Sequence, residues 1–367
     1  MKKTPRSAIP TPALIVDLDV LERNIAAMTA AAANWGVQLR PHAKSHKCAA
    51  IARAQIASGA AGVSCATLEE VAAMVDGEVP GILLTSPVVG APRLSVLASL
   101  LQRDPRIMVV ADDPAAVADL STGSNGLGTP LQVLVDLDVG QRRTGCRTPA
   151  AAVTLAGQIQ STPGLEFAGI QAYAGHIQHT TTRAARTAAA SAVTDLVRNL
   201  CSALERSGFR PRMVTGAGTG SAEVDGPSGV YTELQPGSYV FMDADYLAVE
   251  GLGACYKPAL FVDTTVIGTQ WDDHVTTDAG TKSFALNGPP PLPASGEAGW
   301  TYSYDGDEFG RLTLAPGARR PARGERLAFI VSHCDPTVVL YPYFVCVRDG
   351  WVEDYWPITP RQSRPHS

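Results

Sequence analysis

Lysine is scarce in this 367-residue sequence. Of its 30 basic side chains 24 are arginine, and only Lys2, Lys3, Lys44, Lys47, Lys257 and Lys282 carry a primary amine. Where arginine fills most cationic positions, a lysine within the fold calls for a reason. One reason is that only lysine can form a Schiff base. Other absences narrow the function classes. No stretch of about 18 apolar residues occurs, which argues against a spanning helix. The formal net charge is −5, so the chain lacks the electrostatic footprint of a nucleic-acid binder. Seven cysteines, odd in number and without a CxxC pair, argue against a disulfide framework and fit a reducing cytoplasm. Lys2 and Lys3 make the start basic, but Pro5, Pro10 and Pro12 break up the adjoining stretch, so no signal peptide is expected.

What is present is a globular composition, 45% hydrophobic and 18% charged. The chain is long enough for a barrel of roughly 200–250 residues plus a smaller domain. Eight short β-rich runs fall at 38–44, 62–67, 81–86, 106–112, 131–140, 167–175, 212–216 and 233–243. Between them lie Ala/Leu/Val-rich stretches with helical spacing, among them 19–35, 46–58, 68–75, 149–160 and 182–207. Several have start signals: Asp19, Thr67 followed by Glu69 and Glu70, and Thr148-Pro149. This alternation predicts a (β/α)8 barrel over 18–245, with a doubly wound open sheet as the alternative. Beyond 245 helical periodicity fades. Val/Thr/Tyr-rich runs appear at 260–269, 274–278, 327–331, 343–347 and 351–356, around a Pro/Gly-rich loop at 287–296. These predict a C-terminal β-domain, 246–367, with 1–17 assigned to it; the run 13–17 is compatible with either domain.

Lys44 ends the first expected barrel strand, in Arg40-Pro41-His42-Ala43-Lys44-Ser45-His46-Lys47. Active sites of such barrels lie at the C-terminal ends of the strands. A Schiff-base lysine needs a partly desolvated or electropositive setting, which Arg40, His42, His46 and Lys47 would supply. An ordinary strand-end charge is the plainer reading. Lys47 is the rival amine, expected in the first turn of the next helix and solvated. After strand seven comes Thr215-Gly216-Ala217-Gly218-Thr219-Gly220-Ser221. Glycines there let the backbone approach an anion, and phosphate sites commonly lie after strands seven and eight; a plain turn is the alternative. Ser332-His333-Cys334-Asp335-Pro336-Thr337 in the β-domain, if extended, points His333 and Asp335 to one side. That is half of a site for Mg2+ or Mn2+, to be completed by water and substrate oxygens, or else a satisfied surface pair. Tyr173, His176, His179 and Arg143 fall near the same rim, where either histidine could act as a base or simply pack.

Together these segments resemble the D-threonine aldolase / D-serine dehydratase family of alanine-racemase-like, fold-type III pyridoxal-phosphate enzymes. The resemblance runs from Thr11 to Pro357. It rests on Arg40 to Cys48, Thr219-Gly220-Ser221, Tyr231 to Tyr239 and His333-Cys334-Asp335-Pro336-Thr337. It implies pyridoxal 5'-phosphate on Lys44, with Tyr173 near the pyridine nitrogen and Arg143 near the ring oxygen. It further implies Gly218, Thr219 and Gly220 around the phosphate, His333 and Asp335 on the metal, and His179 as base on the substrate hydroxyl. The expected reaction is metal-assisted cleavage of a D-β-hydroxy-α-amino acid to glycine and an aldehyde. A dehydratase giving a 2-oxo acid and ammonia is the competing reading, and a pyridoxal-phosphate carrier without activity a third. His-x-Asp, rather than the His-x-Cys of the dehydratases, favours the aldolase. The resemblance also implies a head-to-tail homodimer, each site completed by the partner's β-domain; cysteine usage, charge and hydropathy lead us to expect a cytoplasmic protein with no nucleic-acid or membrane partner. Phe309 stands where members commonly carry histidine, His176 sets this chain apart, and Arg142 or Arg183 could recognise a second carboxylate.

Overall fold

The computed structural model describes residues 4–124 and 126–359. The chain divides into two compact units: residues 28–237, and the described residues up to Ala27 together with those from Ser238 onward. The second unit contains the N-terminal strand β1 (Ala13–Asp17).

The unit 28–237 is a ring of eight short parallel strands. They are β2 (Gln38–Leu39), β3 (Val63–Cys65), β4 (Ile82–Leu84), β5 (Val109–Ala111), β6 (Leu131–Asp136), β7 (Leu165–Ala172), β8 (Met213–Gly216) and β9 (Glu233–Leu234). Parallel ladders run β5-β6-β7-β8-β9-β2 and, separately, β3-β4. Two single bridges, His42 with Ser64 and Leu83 with Met108, join the ladders and close the barrel. Seven helices follow β2 to β8 in turn, from Ala49–Ala57 to the short Ala222–Asp225. Leu131, Val133, Leu134 and Val135 in β6 are fully buried, as expected of a parallel strand covered on both faces. Thr67, Asp113 and Thr148 cap their helices by accepting the N–H groups of Glu70, Ala116 and Ala151. The register of β6 on β7 shifts between Val133 and Leu134. Next to that shift Gly169 approaches β8 so closely that a Cβ would lie 1.9 Å from the Met213 carbonyl oxygen.

The eight expected runs all contain a strand, but two are much shorter than expected. The run 38–44 forms a regular ladder only over Gln38–Leu39, and 233–243 only over Glu233–Leu234. Pro41 and Pro236 supply no N–H to a ladder, and the chain turns into 3-10 geometry beyond each. The first helix, Leu18–Trp35, is capped by Asp17, whose Oδ1 accepts the Val20 N–H at 3.0 Å; Asp19 lies inside the first turn.

The other unit is mostly β. Its main path runs β13 (Trp300–Tyr304), β14 (Gly310–Leu314), β11 (His274–Thr277), β10 (Leu260–Gly268), β1, β16 (Tyr343–Arg348) and β17 (Trp351–Pro357). Strand β15 (Arg326–Ile330) also pairs with β10, and β12 (Leu292–Pro293) with β15. Strand β1 lies antiparallel to β10 and parallel to β16, which gives the run 13–17 its place in this sheet. The hairpin β13/β14 is not among the runs expected from sequence, although Trp300-Thr301-Tyr302-Ser303-Tyr304 alternates with period two. Its buried Tyr302 packs at ring-centroid distances of 5.3 Å from Phe284 and 5.1 Å from Phe329.

Inside the barrel, Arg40 forms a bidentate pair with Glu233, Nε and Nη2 each 2.8 Å from a carboxylate oxygen. Both side chains are buried, at 6% and 4% exposure. Removing one member leaves the other charge uncompensated. Glu233→Ala is expected to lower unfolding stability by about 3–5 kcal/mol. Arg103→Ala, which breaks a half-exposed pair with Asp76, should cost at most about 1 kcal/mol. Urea denaturation of the two variants checks the contrast; equal losses would refute it.

Candidate active site

At the C-terminal ends of the barrel strands lies a cavity of about 220 Å³. Lys44 reaches it from the 3-10 turn Ala43–Ser45 beyond β2, Thr85 from the residue after β4, and Arg143 from the loop after β6. Gln171 enters from β7, Tyr173 from just beyond it, and Gln235 from just beyond β9. Lys44 therefore sits on a turn just beyond the bridge of His42 with Ser64, rather than at a strand end. His42 caps that turn, its Nδ1 3.3 Å from the Lys44 N–H. Lys44 Nζ lies 5.7 Å from the Tyr173 ring centroid.

The electropositive surroundings expected for Lys44 are largely cancelled. Arg40 is neutralised by Glu233, and Lys47 pairs with Glu70. Lys47 is not solvated in a helix turn as expected. It precedes the helix Ala49–Ala57, has φ 50°, and its side chain is 15% exposed. Glu70 draws it inward, an acid 23 residues away that local pattern cannot pair with it.

Below the cavity the polar groups are satisfied in a chain. Thr215 Oγ1 donates to Glu233 Oε1 (3.1 Å), and Gln235 Nε2 donates to Thr215 Oγ1 (3.0 Å) and Gln171 Oε1 (3.4 Å). Gln171 Nε2 in turn donates to the Thr85 carbonyl (2.9 Å) and to Asp136 Oδ1 (3.0 Å). Thr144 Oγ1 donates to Asp136 Oδ2 at 2.9 Å. Burial pushes the Asp136 carboxyl up from 3.8 to about 6, against the hydrogen bonds from Gln171 and Thr144; Asp112 adds to the rise and Arg143 opposes it. Sequence reasoning passed over Gln171, Gln235 and Thr85 because uncharged amides and hydroxyls carry no titration signal.

Arg143, Tyr173 and Lys44 thus come together, whereas Gly218, Thr219, Gly220 and His179 do not line this cavity. The glycine loop follows β8 and is held by Gln178, which is buried. Gln178 Oε1 accepts the N–H groups of Gly220 (2.9 Å) and Ser221 (3.2 Å), and its Nε2 donates to Ser221 Oγ (3.0 Å). A Cβ at Gly220 would lie 2.0 Å from the Gln178 carbonyl oxygen. Both N–H groups are thus satisfied by the Gln178 side chain. His179 is half-buried directly after Gln178, and the His176 ring packs 3.4 Å from where a Cβ would stand on Gly140.

The β unit places His333 and Asp335 differently from the extended arrangement expected. His333 is the N-cap of a short helix, Cys334–Val338, and Asp335 lies in its first turn. The cause is Asp243, whose buried Oδ2 accepts the Cys334 N–H at 2.8 Å and so bends the chain into a helix start. Strand alternation therefore does not align the two side chains. Among the described residues, no group of three or more His, Cys, Asp or Glu is arranged to hold a metal ion. An imidazole and a carboxylate remain, a hard donor pair that fits a divalent cation sharing its shell with water or substrate.

The profile of the alanine racemase N-terminal domain matches residues 16–245, and that of a serine dehydratase domain matches 259–347. The chain belongs to the alanine-racemase-like family. It is 42% identical to a D-threonine aldolase of Arthrobacter sp, over 97% of this chain and 94% of the relative. It is 35% identical to a 3-hydroxy-D-aspartate aldolase of Paracoccus denitrificans strain Pd 1222, over 97% and 93%. The solved D-threonine aldolase of Filomicrobium marinum is 38% identical with a TM-score of 0.94, covering 98% of each chain. The D-threo-3-hydroxyaspartate dehydratase of Delftia sp. HT23 is 25% identical with a TM-score of 0.85, covering 97% and 99%. The barrel followed by a mostly β unit is the family's architecture. The fold-type III barrel is a pyridoxal-phosphate scaffold, and the cavity with its amine, ring and guanidinium fits that cofactor.

The raised carboxyl of Asp136 has a measurable sign. The folded state binds its proton more tightly than the unfolded chain, so stability falls as pH rises from about 4 through 6, and the full cost persists above. Asp136→Asn removes that slope. Relative to wild type the variant should gain roughly 2–3 kcal/mol at pH 7 compared with pH 4. Urea midpoints at the two pH values test this; an identical offset at both would mean that Asp136 titrates normally.

Proposed function

We propose that this chain is a lyase, a pyridoxal-phosphate- and divalent-metal-dependent aldolase that cleaves D-β-hydroxy-α-amino acids of the D-threonine type to glycine and an aldehyde. The observation that carries the reading is the cavity in which Lys44 faces Tyr173 and Arg143, in a chain 42% identical to a D-threonine aldolase along nearly its whole length. The D-configuration follows from the names of the aldolase relatives. Bound pyridoxal phosphate supplies the electron sink for cleavage of the bond between Cα and Cβ.

In this reading Lys44 offers the amine that tethers the cofactor and is released to the substrate. Tyr173 and Arg143 orient the ring, and Gly218, Thr219 and Gly220 form the loop around the phosphate. His179 takes the proton of the β-hydroxyl. His333 and Asp335 hold Mn2+ or Mg2+, an ion that would acidify that hydroxyl. The hard cation is supported by the donor types of His333 and Asp335, with the intervening Cys334 side chain fully buried. Solved variants of a D-threo-3-hydroxyaspartate dehydratase replace a histidine and, two positions on, a cysteine, the latter in a metal-free form. A homodimer acting on small-molecule substrates is part of the proposal. So is a cytoplasmic location; no helix among the described residues is long and apolar enough to cross a membrane.

With D-threonine and Mn2+ the protein should release glycine and acetaldehyde. Release of 2-oxobutanoate and ammonia instead would move the reading to the dehydratases. Lys44→Ala should abolish the visible absorption band of the bound cofactor. Asp335→Ala should remove the EDTA-sensitive activity and leave that band intact; loss of both would give Asp335 a structural role.

A further inference from the structure

The barrel unit contains two primary amines three residues apart, Lys44 and Lys47, and sequence alone gives a cofactor aldehyde little reason to choose between them. We propose that Glu70 makes the choice: its buried carboxylate holds Lys47 as an ion-paired ammonium, so that Lys44 alone takes the cofactor. This rests on the pyridoxal-phosphate reading above.

The Lys47–Glu70 pair adjoins the wall of the cavity that Lys44 enters. Lys47 Nζ pairs with Glu70 Oε1, while Glu70 Oε2 accepts the Ala66 N–H at 2.7 Å. Ala66 lines the Lys44 cavity, so the carboxylate that holds Lys47 stands against the cavity wall. Glu70 is itself buried and anchored. Its side chain is 2% exposed, and its N–H donates to Thr67 Oγ1 at 3.2 Å in the first turn of Leu68–Asp76. The backbone of Lys47 is held as well, with φ 50° and its N–H donating to the Ala43 carbonyl at 2.6 Å. That bond closes the turn that carries Lys44.

The chemistry follows from the lone pair. To join an aldehyde, an amine nitrogen attacks the carbonyl carbon, a C=N bond forms, and the carbonyl oxygen leaves as water. An ammonium has no lone pair to give. For Lys47 to react it would have to surrender a proton and leave the Glu70 carboxylate buried beside Ala66 without its counter-charge, the costly half of a broken buried pair. Lys44 enters the cavity, with its Nζ over the Tyr173 ring. Glu70 thus acts through Lys47 as a positioning residue and touches no reacting atom.

The test is attachment mapping. Each protein is loaded with pyridoxal phosphate, reduced with borohydride, which converts C=N to a stable secondary amine, digested and analysed by mass spectrometry. Wild type and K47R, which keeps the pair without a primary amine, should carry the label on Lys44 only. K44A should carry none on Lys47. The double variant K44A/E70Q should carry it on Lys47, and E70Q should divide it between the two lysines. The inference is overturned if K44A alone labels Lys47 as fully as the double variant, or if a double variant with the wild-type circular-dichroism spectrum leaves Lys47 unlabelled. Should the double variant not fold, E70Q decides: label shared with Lys47 supports the clamp, and label on Lys44 alone refutes it. A wild-type protein without label on Lys44 would instead remove the cofactor reading on which the inference stands.

Discussion

Burying a guanidinium and a carboxylate inside a barrel imposes conditions on everything near them, and the Arg40–Glu233 pair sets those conditions here. Desolvation of two charges is offset only if the remaining lone pairs and protons are also satisfied. Glu233 Oε1 takes a second donor from Thr215, and Arg40 Nη1 donates to the Gly81 carbonyl. That last contact requires bare backbone nearby. A Cβ on Gly62 would stand 2.0 Å from the Gly81 oxygen. The pair also bridges β2 and β9, the first and last strands of the ring, whose ladder is only two residues long. Side-chain bonding reinforces closure where the backbone ladder is shortest.

From Glu233 the donors and acceptors propagate in one direction. Thr215 gives its proton to Glu233 and accepts from Gln235; Gln235 donates to Gln171; Gln171 spends both amide hydrogens on Thr85 and Asp136. Each amide orientation follows from the one before it, and the residues come from β8, β9, β7 and β6 or their ends. The floor beneath Lys44 is thereby fixed before anything binds. Asp136 ends the chain, where burial outweighs the donors it receives. Acids near this cavity take two forms: Glu70 and Glu233 are matched to cations, while Asp136 is matched mainly to neutral donors, and burial lifts its carboxyl.

The repeating strand–helix pattern makes the barrel legible, because a period-two or continuous apolar run followed by a 3.6 period is a local signal. Strand ends are less so. The prolines at 41 and 236 stand in plain view, yet the β-rich runs continue past them. Thr67 and Thr148 are readable as caps because the capped N–H lies three residues on, whereas Asp17 is hidden in the tail of a strand. Charge pairing is not readable: Arg40 and Glu233 are 193 positions apart, so a segment that looks basic in sequence is close to neutral in space. The amides Gln171, Gln178 and Gln235 lie within or beside the motifs but give no reason to be singled out, since their importance lies in which partners they meet.

The His333-Cys334-Asp335 segment shows most clearly why a site can be named without its geometry being known. Residue types identify a donor pair, and alternation suggests how it would be presented. What decides presentation is Asp243, some ninety positions earlier, which accepts the N–H groups of Tyr246 and Cys334 and so starts two short helices from one buried carboxylate. Burial raises the Asp243 carboxyl, and these backbone donors oppose the rise. Cys334 is turned into the interior by the same contact and is fully buried. The soft sulfur is thus kept from the surface on which a hydrated cation would sit, and the segment is left with nitrogen and oxygen donors. Lys44 and its cavity suit either reaction known among the relatives. The hardness of this donor set, fixed by a capping contact rather than by the cavity, is what supports aldol cleavage over dehydration.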